Sequence, residues 1–232
     1  MSRRGKFITF EGLDGTGKST QLHKLAVALT LTGYKVVETR EPGGTLTGEK
    51  IRRVLLDSAT QGLSPMAEMA LMFASRAQHI SEVIRPALDR GHIVLCDRFT
   101  DSTEAYQGSG RKLGSEAVLE LHRVLCEDLQ PDLTILLDSD PAMSLGRARL
   151  RNQRESDRAK KSNRSLVKSD ADENRFEQQS RSFFARVHQG YRAIATREPQ
   201  RVIVVDARGT PAQTHRRIME IVGRKLKLTL QQ

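Results

Sequence analysis

Short apolar runs and longer segments with helical periodicity alternate along the chain. Five apolar runs rich in β-branched residues and leucine predict strands at residues 6–11, 35–39, 92–97, 133–138 and 201–206. Such nearly continuous hydrophobicity is typical of a parallel sheet that is covered on both faces. The segments between the runs predict helices at residues 18–31, 48–56, 65–90, 115–127, 141–151, 175–197 and 211–227.

The alternation of strands and helices also predicts the topology. Consecutive parallel strands need a crossover connection, and such connections are right-handed in nearly all proteins. Asp140–Pro141 and Thr210–Pro211 each place a capping residue before a proline, which indicates the start of a helix. We therefore expect residues 1–232 to form a single α/β domain, a doubly wound five-stranded parallel sheet with helices on both faces.

Four of the five predicted strands end in a carboxylate, at Glu11, Asp97, Asp138 and Asp206. The carboxyl ends of parallel strands lie on one edge of the sheet, where ligands of such sheets bind. A strand-ending aspartate can also simply cap the next helix or turn, and this is the interpretation we favour for Asp138 and Asp206.

The polar stretch at residues 152–174 breaks the alternation because it lacks both periodicity and strand signals. At this length inside a compact domain, it predicts a functional mobile loop or a disordered insert. Much of the formal net charge of +10 lies nearby, since residues 147–168 hold nine Lys and Arg against two acids. A basic patch can bind nucleic acid, but it can equally clamp a nucleoside triphosphate. The local clustering makes a nucleic-acid partner the less favoured interpretation.

The composition narrows the class of protein. A chain of 232 residues with 38% hydrophobic and 28% charged residues is typical of a globular protein with a substantial core. The apolar run near the N-terminus is too short for a signal peptide or a membrane span. Cys96 and Cys126 stand outside any CxxC or Cys/His spacing. We therefore expect reduced thiols, no structural metal and a cytoplasmic location.

Candidate chemistry appears first in the stretch FEGLDGTGKST, residues 10–20. Residues 12–19 match G-x-x-x-x-G-K-[ST] between a predicted strand and a predicted helix, as a phosphate-binding loop (P-loop) requires. Lys18 should reach the β- and γ-phosphates, and Ser19 should bind Mg²⁺. The residues predicted to bind the nucleoside triphosphate are Gly12, Leu13, Asp14, Gly15, Thr16, Gly17, Lys18, Ser19 and Thr20.

Asp97 and Arg98 supply a second candidate pair at the same sheet edge. Asp97 ends an apolar strand, and Arg98 follows it directly. The pair could serve the metal and a phosphate together, or it could be an ordinary surface salt bridge. No Ser-His-Asp or Cys-His arrangement is visible, so we expect catalysis by positioning and charge neutralisation. The P-loop motif alone leaves the phosphate acceptor open.

Six motifs together indicate the acceptor. They are FEGLDGTGKST, TREPGGT, LMFASRAQH, CDRFTDSTEAYQG, PDLTILLD and GRARLR, which begin at residues 10, 39, 71, 96, 131 and 146. In this order they resemble bacterial thymidylate kinases over the whole chain, except for the polar stretch. The resemblance implies a P-loop kinase fold and transfer of the ATP γ-phosphoryl group to thymidine monophosphate (dTMP), with Mg²⁺. It also implies a homodimer.

The resemblance assigns four residues to the sugar and phosphate of dTMP. Asp14 would hydrogen-bond the 3′-hydroxyl group. Arg40 and Arg98 would bind the acceptor phosphate, with Arg98, Asp97 and Lys18 as catalytic residues. Tyr106 would crowd the 2′ position and disfavour a ribonucleotide.

Four further residues would contact the base. By resemblance, Phe73 would stack on thymine and Arg76 would bind its O4 atom, while Thr103 and Gln107 would contact the pyrimidine edge. Phe73 and Arg76 stand three residues apart on a predicted helix and so share a face. Many family members place the aromatic residue four positions before the arginine, where this chain has Met72.

The basic segment resembles the lid of the bacterial family, in which the lid rather than the P-loop carries the catalytic basic residue. No basic residue lies between Gly12 and Gly17, whereas the segment GRARLR is rich in arginine. We expect residues 146–175 to form a lid with a basic polar insertion, and Arg151 or Arg154 to reach the transferring phosphoryl group. The family motif DRFE occurs here as ENRFE, after the insertion, with Arg175 and Glu177 retained.

Two alternatives to this interpretation stay open at this point. One is another P-loop nucleotide or nucleoside kinase, which a panel of nucleoside monophosphates would separate. The other is a P-loop ATPase or GTPase that acts on a macromolecular partner. It would hydrolyse the triphosphate without an acceptor and bind oligonucleotides in a salt-sensitive manner.

Overall fold

The computed structural model describes residues 4–58, 60, 62–147, 150, 175, 176 and 178–228. Its centre is a sheet of five parallel strands in the order β2-β3-β1-β4-β5. The strands are β1 (Phe7–Glu11), β2 (Val36–Arg40), β3 (Ile93–Asp97), β4 (Leu133–Asp138) and β5 (Val202–Asp206). The predicted five-stranded parallel sheet is confirmed, because each apolar run forms a strand.

Eight α-helices and two π-helical turns surround the sheet in the described residues. The α-helices are α1 (Lys18–Leu31), α2 (Leu46–Leu56), α3 (Pro65–His79), α4 (Arg85–Asp89), α5 (Thr100–Thr103), α6 (Ser115–Cys126), α7 (Arg181–Arg197) and α8 (Pro211–Leu226). The first π-helical turn, Ile80–Ile84, joins α3 to α4, and the second, Glu104–Gly110, continues α5. Residues 141–147 are also helical.

Two helical predictions needed correction. The helix that runs from α5 through Glu104–Gly110 was not predicted, because most of its side chains are buried and it therefore lacks an amphipathic pattern. The helix predicted to begin at residue 175 begins at Arg181, where the Ser180 hydroxyl caps it by accepting a hydrogen bond from the Phe183 amide. The predicted helix at residues 65–90 corresponds to α3, the π-helical turn and α4 together.

Apolar side chains cover both faces of the sheet. One cluster packs α1 and α8 against residues such as Phe10 and Ile135. The opposite cluster packs α3, α4 and α6 around Phe7 and Phe73. A third cluster joins Leu13 and Tyr106 to α7, so the P-loop and α7 share a core. Among the described residues, no helix has the length and the apolar character needed to cross a bilayer.

The register brings the predicted functional residues to one edge of the sheet. Asp97 lies opposite Phe10 on β1 and opposite Arg40 on β2. Asp206 accepts a hydrogen bond from the Arg208 amide, as predicted for a turn cap. Asp138 does not cap the following helix: its carboxylate accepts hydrogen bonds from His188 and Arg192 of α7.

The end of α6 provides a test of backbone strain. Glu127 terminates this helix in the left-handed region, with φ of 50°, which a non-glycine residue adopts at a cost. Its ion pair with Arg85 is exposed and stabilises the fold little. We expect Glu127→Gly to raise the free energy of unfolding by about 0.5–1 kcal/mol in urea denaturation.

Glu116 in the first turn of the same helix is the matched control. Glu116→Gly removes a favourable charge at the helix N-terminus and adds chain entropy to the unfolded state, so it should lower stability by about 1 kcal/mol. If both variants were less stable than the wild type, the prediction that the left-handed backbone at Glu127 is strained would be contradicted.

Candidate active site

The P-loop is shaped by glycine and by close packing. Gly12, Gly15 and Gly17 all have positive φ, between 81° and 127°. A Cβ atom on Gly12 would lie 2.4 Å from the Leu137 carbonyl oxygen, so only glycine fits between the loop and β4. Gly17 precedes α1 and carries no capping side chain, which leaves the first-turn amides available to an anion.

Lys18 lies folded over the P-loop in a buried position. Its Nζ atom donates a hydrogen bond to the Leu13 carbonyl oxygen at 3.0 Å and lies 3.7 Å from Asp14 Oδ1. Burial, together with the charge of Arg98, lowers the pKa of Lys18 below its usual value. The ammonium group is thus held close to the positions where a polyphosphate would meet the loop amides.

Ser19 and Asp97, the two predicted metal residues, are in direct contact. The Ser19 hydroxyl donates a hydrogen bond to Asp97 Oδ2 at 2.5 Å. The other carboxylate oxygen of Asp97 is buried and has no hydrogen-bond partner among the residues that the structure describes. A hydroxyl and an incompletely satisfied carboxylate form a donor set of hard oxygen atoms, which suits Mg²⁺.

Arg98 connects the P-loop to the helices that follow the sheet. Its Nη2 atom donates to Asp14 Oδ1 at 2.6 Å, and its Nη1 atom donates to the Gly12 carbonyl oxygen at 3.1 Å. The Nη1 atom also bonds the hydroxyls of Ser102 and Tyr191. Arg98 adopts a φ of 73°, a conformation that an arginine rarely takes, so surrounding contacts must hold it.

Glu11 supplies those contacts from the end of β1. One carboxylate oxygen accepts the Phe99 amide hydrogen at 2.7 Å, and the other accepts the hydroxyls of Ser102 and Tyr191 at 2.5 and 3.0 Å. Burial, together with the charge of Asp101, raises the pKa of Glu11 to about 7. The sequence marked Glu11 only as a strand-ending acid. Nothing in the local sequence marked Tyr191.

The second half of the site is organised around Arg76 on α3. Its Nε atom donates to Glu41 at 2.7 Å and its Nη2 atom donates to Thr103 at 3.0 Å. The guanidinium carbon lies 4.9 Å from the ring centre of Phe73 and 5.2 Å from that of Phe99. Within the described part of the chain, no group hydrogen-bonds the buried Nη1 atom, so one donor is left for a ligand.

Glu41, His79 and Cys96 lie close enough to resemble a metal site, but their bonding is structural. Glu41 accepts hydrogen bonds from Arg76 and lies 3.0 Å from His79 Nδ1. Burial raises the pKa of the Cys96 thiol well above its usual value, so the thiol stays protonated and is a poor metal ligand. The cluster therefore holds Arg76 in place.

The remaining predicted base contacts, Phe73, Thr103 and Gln107, are all buried. Phe73 is fully buried and faces Arg76, so stacking of a base on this ring stays a prediction that the burial does not favour. Met72 is partly buried and packs against the cluster that contains Leu13 and Tyr106. Thr103 and Gln107 both contact α3: the Thr103 hydroxyl accepts a hydrogen bond from Arg76, and the Gln107 amide donates one to Glu68.

Tyr106 and Arg40 differ in burial, the former being buried and the latter exposed. The Tyr106 hydroxyl donates to Asp14 Oδ2 at 3.3 Å, which ties the predicted sugar-binding residues together. Arg40 is exposed and pairs with Glu49 at 3.2 Å. Arg147 is exposed, whereas Arg149, Arg151, Arg154 and Glu177 lie outside the described residues, as does the stretch 152–174.

The raised pKa of Glu11 predicts a pH dependence of stability. The folded protein keeps this proton up to about pH 7, whereas the unfolded chain releases it near pH 4.5. Stability from Glu11 is therefore present below pH 4.5 and is lost as the pH rises to 7. The Glu11→Gln side chain cannot ionise, so this variant avoids the loss. The free energy of unfolding of the variant minus that of the wild type should therefore rise by about 3 kcal/mol from pH 4.5 to pH 8. A difference that stays constant over this range in urea titrations would contradict the assignment.

Comparisons with known proteins agree with this geometry. A family model described as thymidylate kinase matches residues 10–218. A thymidylate kinase of Desulforapulum autotrophicum is 45% identical over 224 residues, which cover 97% of this chain and 93% of the relative. One of Pelobacter propionicus is 48% identical over 205 residues, covering 88% of each chain.

A solved structure shows the same fold. The crystal structure of thymidylate kinase from Ehrlichia chaffeensis superposes with a TM-score of 0.71 at 32% identity, covering 94% of this chain and 99% of that one. The P-loop, the Asp97–Arg98 pair and the Arg76 site are thus set in a P-loop kinase fold. The chain belongs to the thymidylate kinase family, whose members are ATP-dependent phosphotransferases.

Proposed function

We propose that two nucleotides bind end to end along the carboxyl edge of the sheet, ATP on the P-loop and dTMP between Arg98 and Arg76. The reaction is that of the family, transfer of the ATP γ-phosphoryl group to dTMP to give dTDP and ADP. The observation that carries the proposal is the buried Nη1 atom of Arg76, which has no hydrogen-bond partner among the described residues and is suited to a carbonyl oxygen such as thymine O4.

The donor nucleotide is held mainly by residues 12–20. Amides of the P-loop and of the first turn of α1 surround the phosphates, and Lys18 contributes a positive charge. Ser19 and Asp97 would hold Mg²⁺, for which the Asp97 oxygen without a partner in the described part of the chain is suited. When bound, Mg²⁺ offsets the charge of the phosphate oxygens.

The acceptor phosphate and sugar lie closer to Arg98. We assign the phosphate to Arg98 and Arg40, and the 3′-hydroxyl to Asp14. Tyr106 hydrogen-bonds Asp14 and would close the space at the 2′ position. The base lies toward Arg76, Thr103 and Gln107, with Phe73, or Met72 one position before it, as its apolar neighbour.

The rate enhancement comes from alignment and charge. Arg98 is held rigidly by Asp14, by Gly12 and by Ser102, which is itself bonded to Glu11. The acceptor oxygen is therefore oriented without movement of the Arg98 side chain. Residues 146–175 are proposed to act as the lid that excludes water, with Arg151 or Arg154 neutralising the transferring group. Homodimer formation and a cytoplasmic location complete the proposal.

A panel of monophosphates tests the acceptor assignment. With ATP and Mg²⁺, we expect kcat/KM for dTMP to exceed that for deoxycytidine monophosphate by at least about a hundredfold, since the cytosine amino group meets the Arg76 donor. Coupled measurement of ADP release gives the values. Faster turnover of cytidylate or guanylate would favour another nucleotide kinase, and hydrolysis without an acceptor would favour an ATPase.

Lys18 provides the test of the donor site. Lys18→Ala removes a buried charge at the phosphates, and we expect kcat to fall about 100- to 1,000-fold while dTMP binding, measured by calorimetry, stays nearly unchanged. Lys24→Ala, on the exposed side of the same helix, is the matched control and should keep full activity. Comparable activity in the two variants would overturn the assignment of the donor site.

A further inference from the structure

Glu68 is a buried carboxylate that joins three parts of the molecule. It lies in the first turn of α3, and its side chain is 1% exposed. Its donors come from Gln107 in the second π-helical turn, from Arg111 just after that turn, and from Arg175. Arg175 also donates to the Leu55 carbonyl oxygen at the end of α2.

Both oxygens of Glu68 are fully used. Oε1 accepts from Gln107 Nε2 at 2.8 Å and from Arg111 Nε at 3.1 Å. Oε2 accepts from Arg111 Nη2 at 3.0 Å and from Arg175 Nη2 at 2.7 Å. An ionised carboxylate offers about four acceptor sites, and all are occupied here.

The surrounding cations keep Glu68 ionised although it is buried. Burial acts to raise the pKa of Glu68, but the hydrogen bonds from Arg111 and Gln107 and the charges of Arg111 and Arg175 outweigh it, and the pKa lies below its usual value. A carboxylate in this state can only accept hydrogen bonds. Every group that contacts Glu68 must therefore present a hydrogen-bond donor to it.

This constraint decides the orientation of the Gln107 amide. The amide must turn its NH₂ group toward Glu68, because its carbonyl oxygen would be repelled there. The carbonyl oxygen is left on the opposite side of the amide, away from Glu68. Gln107 is thereby fixed as an acceptor toward whatever group approaches that side.

We propose that Glu68 is a specificity-determining residue that positions Gln107 to accept a hydrogen bond from the acceptor base. The proposal rests on the proposed function, in which Gln107 and Arg76 face the pyrimidine edge. Thymine presents an N3–H donor and an O4 acceptor, which match a Gln107 acceptor and an Arg76 donor. Cytosine presents the reverse pattern, an acceptor at N3 and a donor at N4, and so opposes both.

The best probe is 5-methyl-deoxycytidine monophosphate. It keeps the methyl group, the sugar and the phosphate of dTMP and differs only at positions 3 and 4 of the ring. Glu68→Gln keeps the size of the side chain but allows Gln107 to turn either end toward it. We expect the ratio of kcat/KM for dTMP to that for the probe to fall about tenfold or more, with KM for ATP unchanged.

Glu104→Gln is the matched control. Glu104 lies in the same π-helical turn, is also buried, and pairs through both oxygens with Arg197 instead of a base-side group. Loss of its charge should lower thermal stability without changing the ratio for the two monophosphates. A similar fall of the ratio in both variants would overturn the proposal, because it would indicate general loosening of the turn.

A double-mutant cycle separates positioning from structure. If Glu68 acts through Gln107, then Glu68→Gln should change the ratio no further in a Gln107→Ala background. Additive effects would overturn the role of Glu68. If Gln107→Ala alone leaves the ratio unchanged, the proposed base contact of Gln107 fails first, and the role of Glu68 in specificity fails with it.

Arg111→Met gives a second route should Glu68→Gln fold poorly. It removes the cation that bonds both Glu68 oxygens while Glu68 itself stays in place. With two of its four donors lost, the carboxylate is free to shift and holds the Gln107 amide less firmly, so the ratio should fall. A ratio equal to that of the wild type would contradict the proposal.

Discussion

The contact between Arg98 and the P-loop is the constraint on which the rest of the site depends. Arg98 follows β3, whereas Asp14 and Gly12 follow β1, so one guanidinium group fixes the spacing of two adjacent strand ends. The left-handed backbone at Arg98 is tolerated because Glu11 holds the next amide. The same buried carboxylate accepts the Tyr191 hydroxyl and thereby extends this support to α7.

A common device appears three times around the site: a buried glutamate supports a residue that is predicted to contact a nucleotide. Glu11 supports Arg98, Glu41 holds Arg76, and Glu68 bonds Gln107. In each case the carboxylate is buried and accepts hydrogen bonds from groups of the protein. Burial of the Glu41 and Glu68 charges is costly, and it is offset by the hydrogen-bond donors around them, whereas burial of Glu11 raises its pKa instead.

The sequence predicted the parts of the site that depend on local pattern. The P-loop and all five strands follow from glycine spacing and apolar runs, and Asp97 and Arg98 follow from their place at a strand end. The supporting glutamates and Tyr191 could not be found in this way, because Tyr191 meets Glu11 across 180 positions of chain. No local signal reports a contact of that range.

Phe73 illustrates a second limit of sequence reasoning. Spacing along a helix placed it on the same face as Arg76, and both are indeed in contact. The pattern could not show that the ring packs into the core behind the guanidinium while Met72 points toward the neighbouring cluster. A difference of one position on a helix changes the direction of a side chain by about 100°.

The same rotation decides how a deletion of one residue would act at the π-helical turn Ile80–Ile84. Upstream of it α3 directs Arg76 toward Thr103, and downstream α4 directs Leu88 into the core beside β3. The wider turn sets the angle between these two faces. A π-helical turn holds about one residue more than an ordinary helical turn, so loss of one codon here would restore ordinary turns and leave the two faces nearly in phase. Loss of one codon inside α3 would instead turn every following side chain by about 100°.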